Sequence, residues 1–192
     1  MRAESPRTGL TLSDARANVP VTAIAASAGG LEAVSELLAG LTPDLDMAYV
    51  YVQHLDPAHQ SLLPEILSKR TPLHVVAATE EATVVSGTIY IIPPDRTLTI
   101  VEDQLRLSPR SPGRHMPADI FFKSLARARA ERAISVVLSG GDSDGALGTV
   151  AIKHGGGITF AQDPSTAPFP SMPRNAHRHG LRRLRPATTA HR

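Results

Sequence analysis

Short apolar runs alternate with amphipathic stretches from about residue 20 to residue 161, and this alternation predicts an α/β fold. The continuous apolar runs, typical of strands buried in a parallel sheet, lie at residues 20–26, 47–52, 73–77, 88–92, 133–138 and 157–161. Apolar residues at helical spacing separate several of these runs; Leu31, Val34 and Leu38, for example, share one helical face. Repeated strand–helix units predict a doubly wound, mostly parallel sheet with helices on both faces.

One stretch departs from this pattern. Residues 98–101 and 105–107 are short alternating segments on either side of a polar turn. Two such segments with a turn between them are typical of an antiparallel hairpin. We expect this hairpin at one edge of the sheet.

The amino-acid composition excludes several kinds of functional site and of targeting segment. The chain of 192 residues contains no cysteine, which excludes disulfides, a thiolate nucleophile and cysteine-ligated zinc. Aromatic residues make up 4% of the chain and tryptophan is absent, so the core is expected to consist of aliphatic side chains. No apolar run approaches the roughly 20 residues of a membrane span, and the first 20 residues lack the apolar core of a signal peptide. We therefore expect a soluble, cytoplasmic protein without membrane insertion.

The ends of the chain differ from its middle. Residues 1–19 are polar and lack periodicity, which predicts a flexible leader before a single domain at residues 20–178. Residues 177–192 hold five arginines and three histidines and no acidic residue. Because aromatic residues are absent there and no nucleic-acid-binding motif surrounds it, we interpret residues 179–192 as a basic, disordered tail rather than a nucleic-acid site.

Three polar residues follow strands of the predicted sheet, where ligands of such folds bind. Ser27 lies in a Ser-Ala-Gly-Gly turn between a strand and a helix, so its hydroxyl could act as a nucleophile beside the positive end of the helix; the alternative is an ordinary helix cap. His54 ends the second strand and could serve as a base, or be a surface histidine. Asp144 lies in a glycine-rich loop that also holds Asp142, and either carboxylate could cap the next helix, orient a histidine or bind a cation. The glycine-rich turns also leave open a nucleotide-binding domain, although no G-x-G-x-x-G motif is present.

Several segments together carry a resemblance to a known family. They are VTAIAASAGG at 21–30, the Gln53-His54 pair, YIIPP at 90–94, MPADIFFKSL at 116–125, LSGGDSDGA at 138–146 and QDPSTA at 162–167. In order and spacing they resemble the catalytic domains of CheB methylesterases over about residues 20–176. PPDRTL at 93–98 resembles the version found in members fused to a CheR methyltransferase.

The resemblance implies a serine hydrolase that removes methyl esters from glutamate side chains of chemoreceptor-like proteins, in chemotaxis or a related sensory pathway. Deamidation of receptor glutamines often accompanies this activity in the family. It assigns Ser27 as nucleophile, His54 as general base and Asp144 as the residue that orients His54. The backbone N–H groups of Gly141 and Ala28 are the expected oxyanion donors. The expected reaction needs no metal and no cofactor.

The expected partners are the helical cytoplasmic region of a methylated receptor and a CheR-type methyltransferase. One departure bears on activity, because Asp142 stands where the family has glycine. An aspartate in place of glycine at this position predicts a strained backbone and an added charge beside the site. The alternative function is a catalytically weak or inactive module that binds receptors or a methyltransferase.

Overall fold

The computed structural model describes residues 19–53, 61–110, 115–178 and 182–184. The described part contains nine strands: β1 (Val21–Ala26), β2 (Ala48–Gln53), β3 (His74–Ala77), β4 (Thr88–Ile91), β5 (Arg96–Val101), β6 (Gln104–Pro109), β7 (Ala133–Val137), β8 (Ile158–Gln162) and β9 (Arg182–Leu184). Its α-helices are α1 (Gly30–Ala39), α2 (Leu63–Ser68), α3 (Pro117–Arg129), α4 (Ala146–His154) and α5 (Ser171–His177). A 3-10 turn, Ala130–Arg132, follows α3. No helix of these segments is long and apolar enough to cross a membrane.

Seven strands form one parallel sheet in the order β3-β4-β2-β1-β7-β8-β9. From β1 the chain first builds toward β3 on one side and later returns to place β7 on the other side of β1. The order of strands therefore reverses between β1 and β7. In open parallel sheets ligands bind at the carboxyl ends of the strands beside such a reversal.

Two apolar clusters show that both faces of the sheet are covered. Successive side chains of a strand point to opposite faces, so Ala23 and Ala25 of β1 lie in one cluster and Ile24 and Ala26 in the other. The first cluster includes apolar residues of α3, α4 and α5, and the second includes those of α1 and α2. All six residues of β1 are buried, which explains its continuous apolar sequence. The predicted doubly wound fold is confirmed.

The hairpin departs in one detail from its prediction. β5 and β6 pair antiparallel, as expected, but they form a two-stranded sheet of their own instead of an edge of the main sheet. The buried Leu98, Ile100 and Leu105 of the hairpin join the cluster that contains α3. Arg129 of α3 fixes the turn, because its guanidinium donates to the Glu102 carbonyl at 2.6 Å and pairs with the Asp103 carboxylate at 2.6 Å.

Two elements near the end of the chain were not predicted. α5 is short and contains Pro173, so no apolar periodicity marks it. β9 (Arg182–Leu184) lies within residues 179–192, the segment interpreted from the sequence as a basic tail. β9 pairs in parallel with β8 through backbone groups, which do not require apolar side chains, so a basic sequence can occupy this edge.

Candidate active site

Ser27 occupies the turn between β1 and α1, beside the reversal of strand order. Its N–H donates to the carbonyl of Ser139, which follows β7, at 2.9 Å. Its own carbonyl accepts the N–H of Gly30 at 2.9 Å, which closes the turn into α1. Gly29, the residue before α1, has φ of 69°, a left-handed conformation that favours glycine. The half-buried Ser27 is thus held at the carboxyl edge of the sheet, next to the loop that follows β7.

That neighbouring loop approaches Ser27 too closely for a side chain at position 140. A Cβ on Gly140 would overlap the Met172 sulfur and lie 3.1 Å from the Ser27 Cβ. Met172 belongs to α5, and its N–H donates to the Gly140 carbonyl at 3.0 Å. The unpredicted helix α5 therefore forms one wall behind the serine.

Ser139 joins three loops and was not identified from the sequence. Its fully buried hydroxyl donates to the Ala28 carbonyl at 2.8 Å and accepts the N–H of Phe169 at 3.0 Å. Its backbone N–H donates to Oε1 of Gln162 at 2.9 Å. Ser139 and Gln162 lie in two of the segments that carried the family resemblance, and this was the only sequence signal for them. Their role is to fix the loops around Ser27.

Asp144 is the buried carboxylate of the loop after β7, with 3% of its surface exposed. It accepts the N–H groups of Ala118 and Asp119, at the start of α3, and its neighbour Gly145, each at 2.9 Å. Burial raises the pKa of Asp144; these hydrogen bonds oppose the rise, and the negative charge of Asp119 adds to it. A carboxylate has about four acceptor positions, so these three hydrogen bonds are fewer than a carboxylate can accept.

Asp119 makes the reciprocal arrangement and was also missed. Its carboxylate, 4% exposed, accepts the N–H of Gly148 in the first turn of α4 at 2.7 Å. Asp144 precedes α4 and caps α3, whereas Asp119 lies in α3 and caps α4. We call these two carboxylates the paired caps. Burial is the main cause of the raised pKa of Asp119, and its hydrogen bond from Gly148 opposes the rise.

Asp142 has a different role from Asp144. It is half-exposed, and its Oδ1 accepts the N–H of Asp144 at 2.8 Å, while its carbonyl accepts Nδ2 of Asn175 at 3.2 Å. Its φ is not positive, so the predicted backbone strain at this position is wrong. The described segments contain no group of three or more histidine, aspartate or glutamate side chains that could hold a metal ion.

The remaining predicted residues are only partly described. Ala28 and Gly141 are exposed, and neither N–H donates to a backbone or side-chain acceptor within the described ranges. His54 lies outside the described residues. Gln53, which precedes it, pairs in register with Ala26, which precedes Ser27, and Oε1 of Gln53 accepts the Tyr51 hydroxyl at 2.6 Å.

Comparison with known proteins places this arrangement in a family. The model of the CheB methylesterase family matches residues 22–190. A putative protein-glutamate methylesterase/protein-glutamine glutaminase of Leptospira interrogans is 32% identical over 162 residues, covering 83% of this chain and 84% of the relative. A protein-glutamate methylesterase/protein-glutamine glutaminase of Methanosarcina mazei is 34% identical over 171 residues, covering 84% of this chain and 47% of the relative.

Other relatives are considerably longer than the matched region. An uncharacterised 104.1 kDa protein of Rhodobacter capsulatus is 38% identical over 115 residues, which are 59% of this chain and 12% of that protein. The chain thus spans less than half of two of these three relatives. The crystal structure of the Thermotoga maritima CheB methylesterase catalytic domain has the same fold, with a TM-score of 0.79 at 24% identity over 88% of this chain and 93% of that one. From the family model and the relatives together, we conclude that the chain belongs to the CheB methylesterase family.

Proposed function

We propose that this protein hydrolyses methyl esters of glutamate side chains in a chemoreceptor-like protein, through Ser27, His54 and Asp144. The observation that carries the proposal is the contact between the Ser27 turn and the loop that leads to Asp144, made by the 2.9 Å hydrogen bond from the Ser27 N–H to the Ser139 carbonyl. It brings a partly accessible serine hydroxyl and a buried carboxylate to one edge of the sheet. The names of the two methylesterase relatives support the same chemistry.

The proposed reaction follows the logic of a serine hydrolase triad. The Ser27 hydroxyl oxygen attacks the ester carbonyl carbon while its proton passes to His54. The resulting oxyanion accepts hydrogen bonds from the N–H groups of Gly141 and Ala28, which have no acceptor among the described residues. The intermediate collapses, and methanol leaves with the proton from His54. Water then attacks the acyl-enzyme carbonyl carbon and gives a proton to His54. The second intermediate collapses, the Ser27 oxygen leaves and takes the proton back from His54, and the glutamic acid product ionises to a carboxylate.

Asp144 supports the charged histidine in this scheme. Its ionised form would accept a hydrogen bond from the imidazole and stabilise the imidazolium. The three backbone donors hold the carboxylate in one orientation, so it needs little reorganisation during the reaction. Deamidation of a glutamine would use the same steps, with ammonia in place of methanol as the leaving group.

The test is labelling of Ser27 with a fluorophosphonate probe, together with methanol release from a peptide that carries a glutamyl methyl ester. We expect Ser27→Ala to lose both signals, because removal of the nucleophile of a triad has cost about 10⁶-fold in kcat in subtilisin. Ser68→Ala is the matched control: the Ser68 hydroxyl is exposed and donates only to the Glu65 carbonyl, at 3.0 Å. Esterase activity that persists in Ser27→Ala would refute the proposal. A wild-type chain that binds the peptide but is neither labelled nor active would favour the non-catalytic module.

A further inference from the structure

A cleft opens at the carboxyl edge of the sheet, beside the site described above. It lies between the end of β4, the open end of the β5–β6 hairpin and the start of α3, and its lining includes Gln53, Pro93, Arg96, Arg110 and Pro117. Gln53 pairs with the residue that precedes Ser27. Pro117 directly precedes Ala118, whose N–H binds Asp144. The cleft therefore borders the elements that position Ser27 and Asp144.

Two arginines give the cleft its charge. Arg96 begins β5 and Arg110 follows β6, and the pairing of Arg96 with Pro109 holds them at the same end of the hairpin. The N–H of Arg110 also donates to the Asp95 carbonyl at 3.3 Å, and this hydrogen bond joins the two chain segments at that end. Both arginine side chains are exposed.

Neither of these side chains has a partner among the residues that the structure describes. Neither Arg96 nor Arg110 makes an ion pair or a side-chain hydrogen bond within the described ranges, although Asp95 also lines the cleft. Arg106 of the same hairpin differs, because it forms an ion pair with Glu81 and hydrogen-bonds Gln104. Guanidinium groups bind carboxylates through two parallel hydrogen bonds, so two arginines that line one cleft without a partner among the described residues are suited to an external carboxylate.

We propose that Arg96 and Arg110 bind an acidic side chain of the substrate polypeptide, close in sequence to the esterified glutamate. This inference rests on the proposed function and specifies its substrate as an acidic segment. The ligand carboxylate belongs to the same molecule as the ester, so the contact strengthens binding of the substrate without changing the chemical step. Because both arginines are exposed, salt weakens the contact.

The experiment compares two peptides that each carry one glutamyl methyl ester, flanked in one by glutamates and in the other by glutamines. Arg96→Gln/Arg110→Gln is the test variant and Arg106→Gln is the matched control on the same hairpin. We expect the double variant to raise KM for the acidic peptide three- to tenfold with kcat unchanged. Its KM for the neutral peptide and its hydrolysis of p-nitrophenyl acetate should equal those of the wild type.

Raising the salt concentration from 50 to 500 mM should reproduce the effect in the wild type and add little in the double variant. An equal rise in KM for both peptides, or no rise for either, overturns the inference, as does an equal effect of Arg106→Gln. A wild-type chain that cleaves neither peptide refutes the proposed function instead. Fluorescence anisotropy of the labelled acidic peptide then decides the inference separately: weaker binding by the double variant supports it, and unchanged binding overturns it.

Discussion

Replacing Asp144 with alanine should destabilise the fold as well as impair catalysis. The change removes the acceptor for the N–H groups of Ala118, Asp119 and Gly145, at the buried starts of α3 and α4. A buried donor left without an acceptor costs about 1–3 kcal/mol. The cost of burying the charge, visible in the raised pKa of Asp144, offsets part of this loss, so the lower figure applies to each donor.

The expected loss is therefore about 3 kcal/mol of unfolding free energy from three donors. For a chain of 150–250 residues each kcal/mol lowers Tm by about 2–4 °C, so Asp144→Ala should melt about 6–12 °C below the wild type. Asp142→Ala is the matched control, because half-exposed Asp142 accepts one N–H, that of Asp144. It should lose about 1 kcal/mol, or about 2–4 °C.

Thermal melts followed by circular dichroism, with urea titrations at 25 °C, measure both values. A loss in Asp144→Ala no larger than that in Asp142→Ala would show that the carboxylate does not cap α3 as described. Activity of the Asp144 variant should be assayed well below its lowered Tm, since otherwise unfolding would be counted as lost catalysis.

Two further changes test the packing and the charge around the site. Gly140→Ala places a methyl group against Met172 and Ser27. Such overpacking should lower the unfolding free energy by about 1–3 kcal/mol and slow the labelling of Ser27. Adding Met172→Ala should restore part of the labelling rate, and no restoration would refute the assigned clash. Asp119→Asn tests pH dependence: a buried carboxyl with a raised pKa contributes stability below its ordinary pKa of 3.8 and loses it as the pH rises through the raised value. As the pH rises above 3.8, the wild type should therefore lose unfolding free energy that Asp119→Asn keeps, so the difference between variant and wild type should grow in favour of the variant. A constant difference in urea titrations across that pH range would contradict this prediction.

The strands at the centre of the sheet could be predicted from the sequence because they are buried on both faces. Such strands consist of continuous apolar runs, and β1 and β7 end at polar, glycine-containing turns. The positions of Ser27 and Asp144 at strand ends of one sheet followed from that pattern, whereas the adjacency of β1 and β7 is seen only in the structure. In the structure Asp144 is buried and Asp142 is half-exposed, while the role of Asp144 in the triad stays a prediction.

The contacts that hold the site could not be predicted, because they join residues distant in sequence. The Asp119 carboxylate accepts the N–H of Gly148, which lies 29 residues later in the chain, and the sequence near either residue does not indicate this contact. The hydroxyl of Ser139 meets Phe169 across 30 positions. β9 was missed for another reason: backbone pairing at a sheet edge leaves little trace in the side chains. The separate hairpin shows that local alternation predicts pairing but not the sheet to which the pair belongs.

The paired caps have a consequence for the local unfolding of the two helix starts. The start of α3 receives its acceptor from Asp144 in the loop before α4, and the start of α4 receives its acceptor from Asp119 in the first turn of α3. Neither start can therefore fray without exposing the donors of the other. The amides of Ala118, Asp119, Gly145 and Gly148 should therefore exchange with deuterium at a common rate, as members of one cooperative unit. A ligand that orders the loop after β7 would slow exchange at the start of α3 as well. The Asp144 carboxylate, proposed as a member of the triad, thus connects the starts of two helices. Its orientation persists as long as both helix starts stay folded.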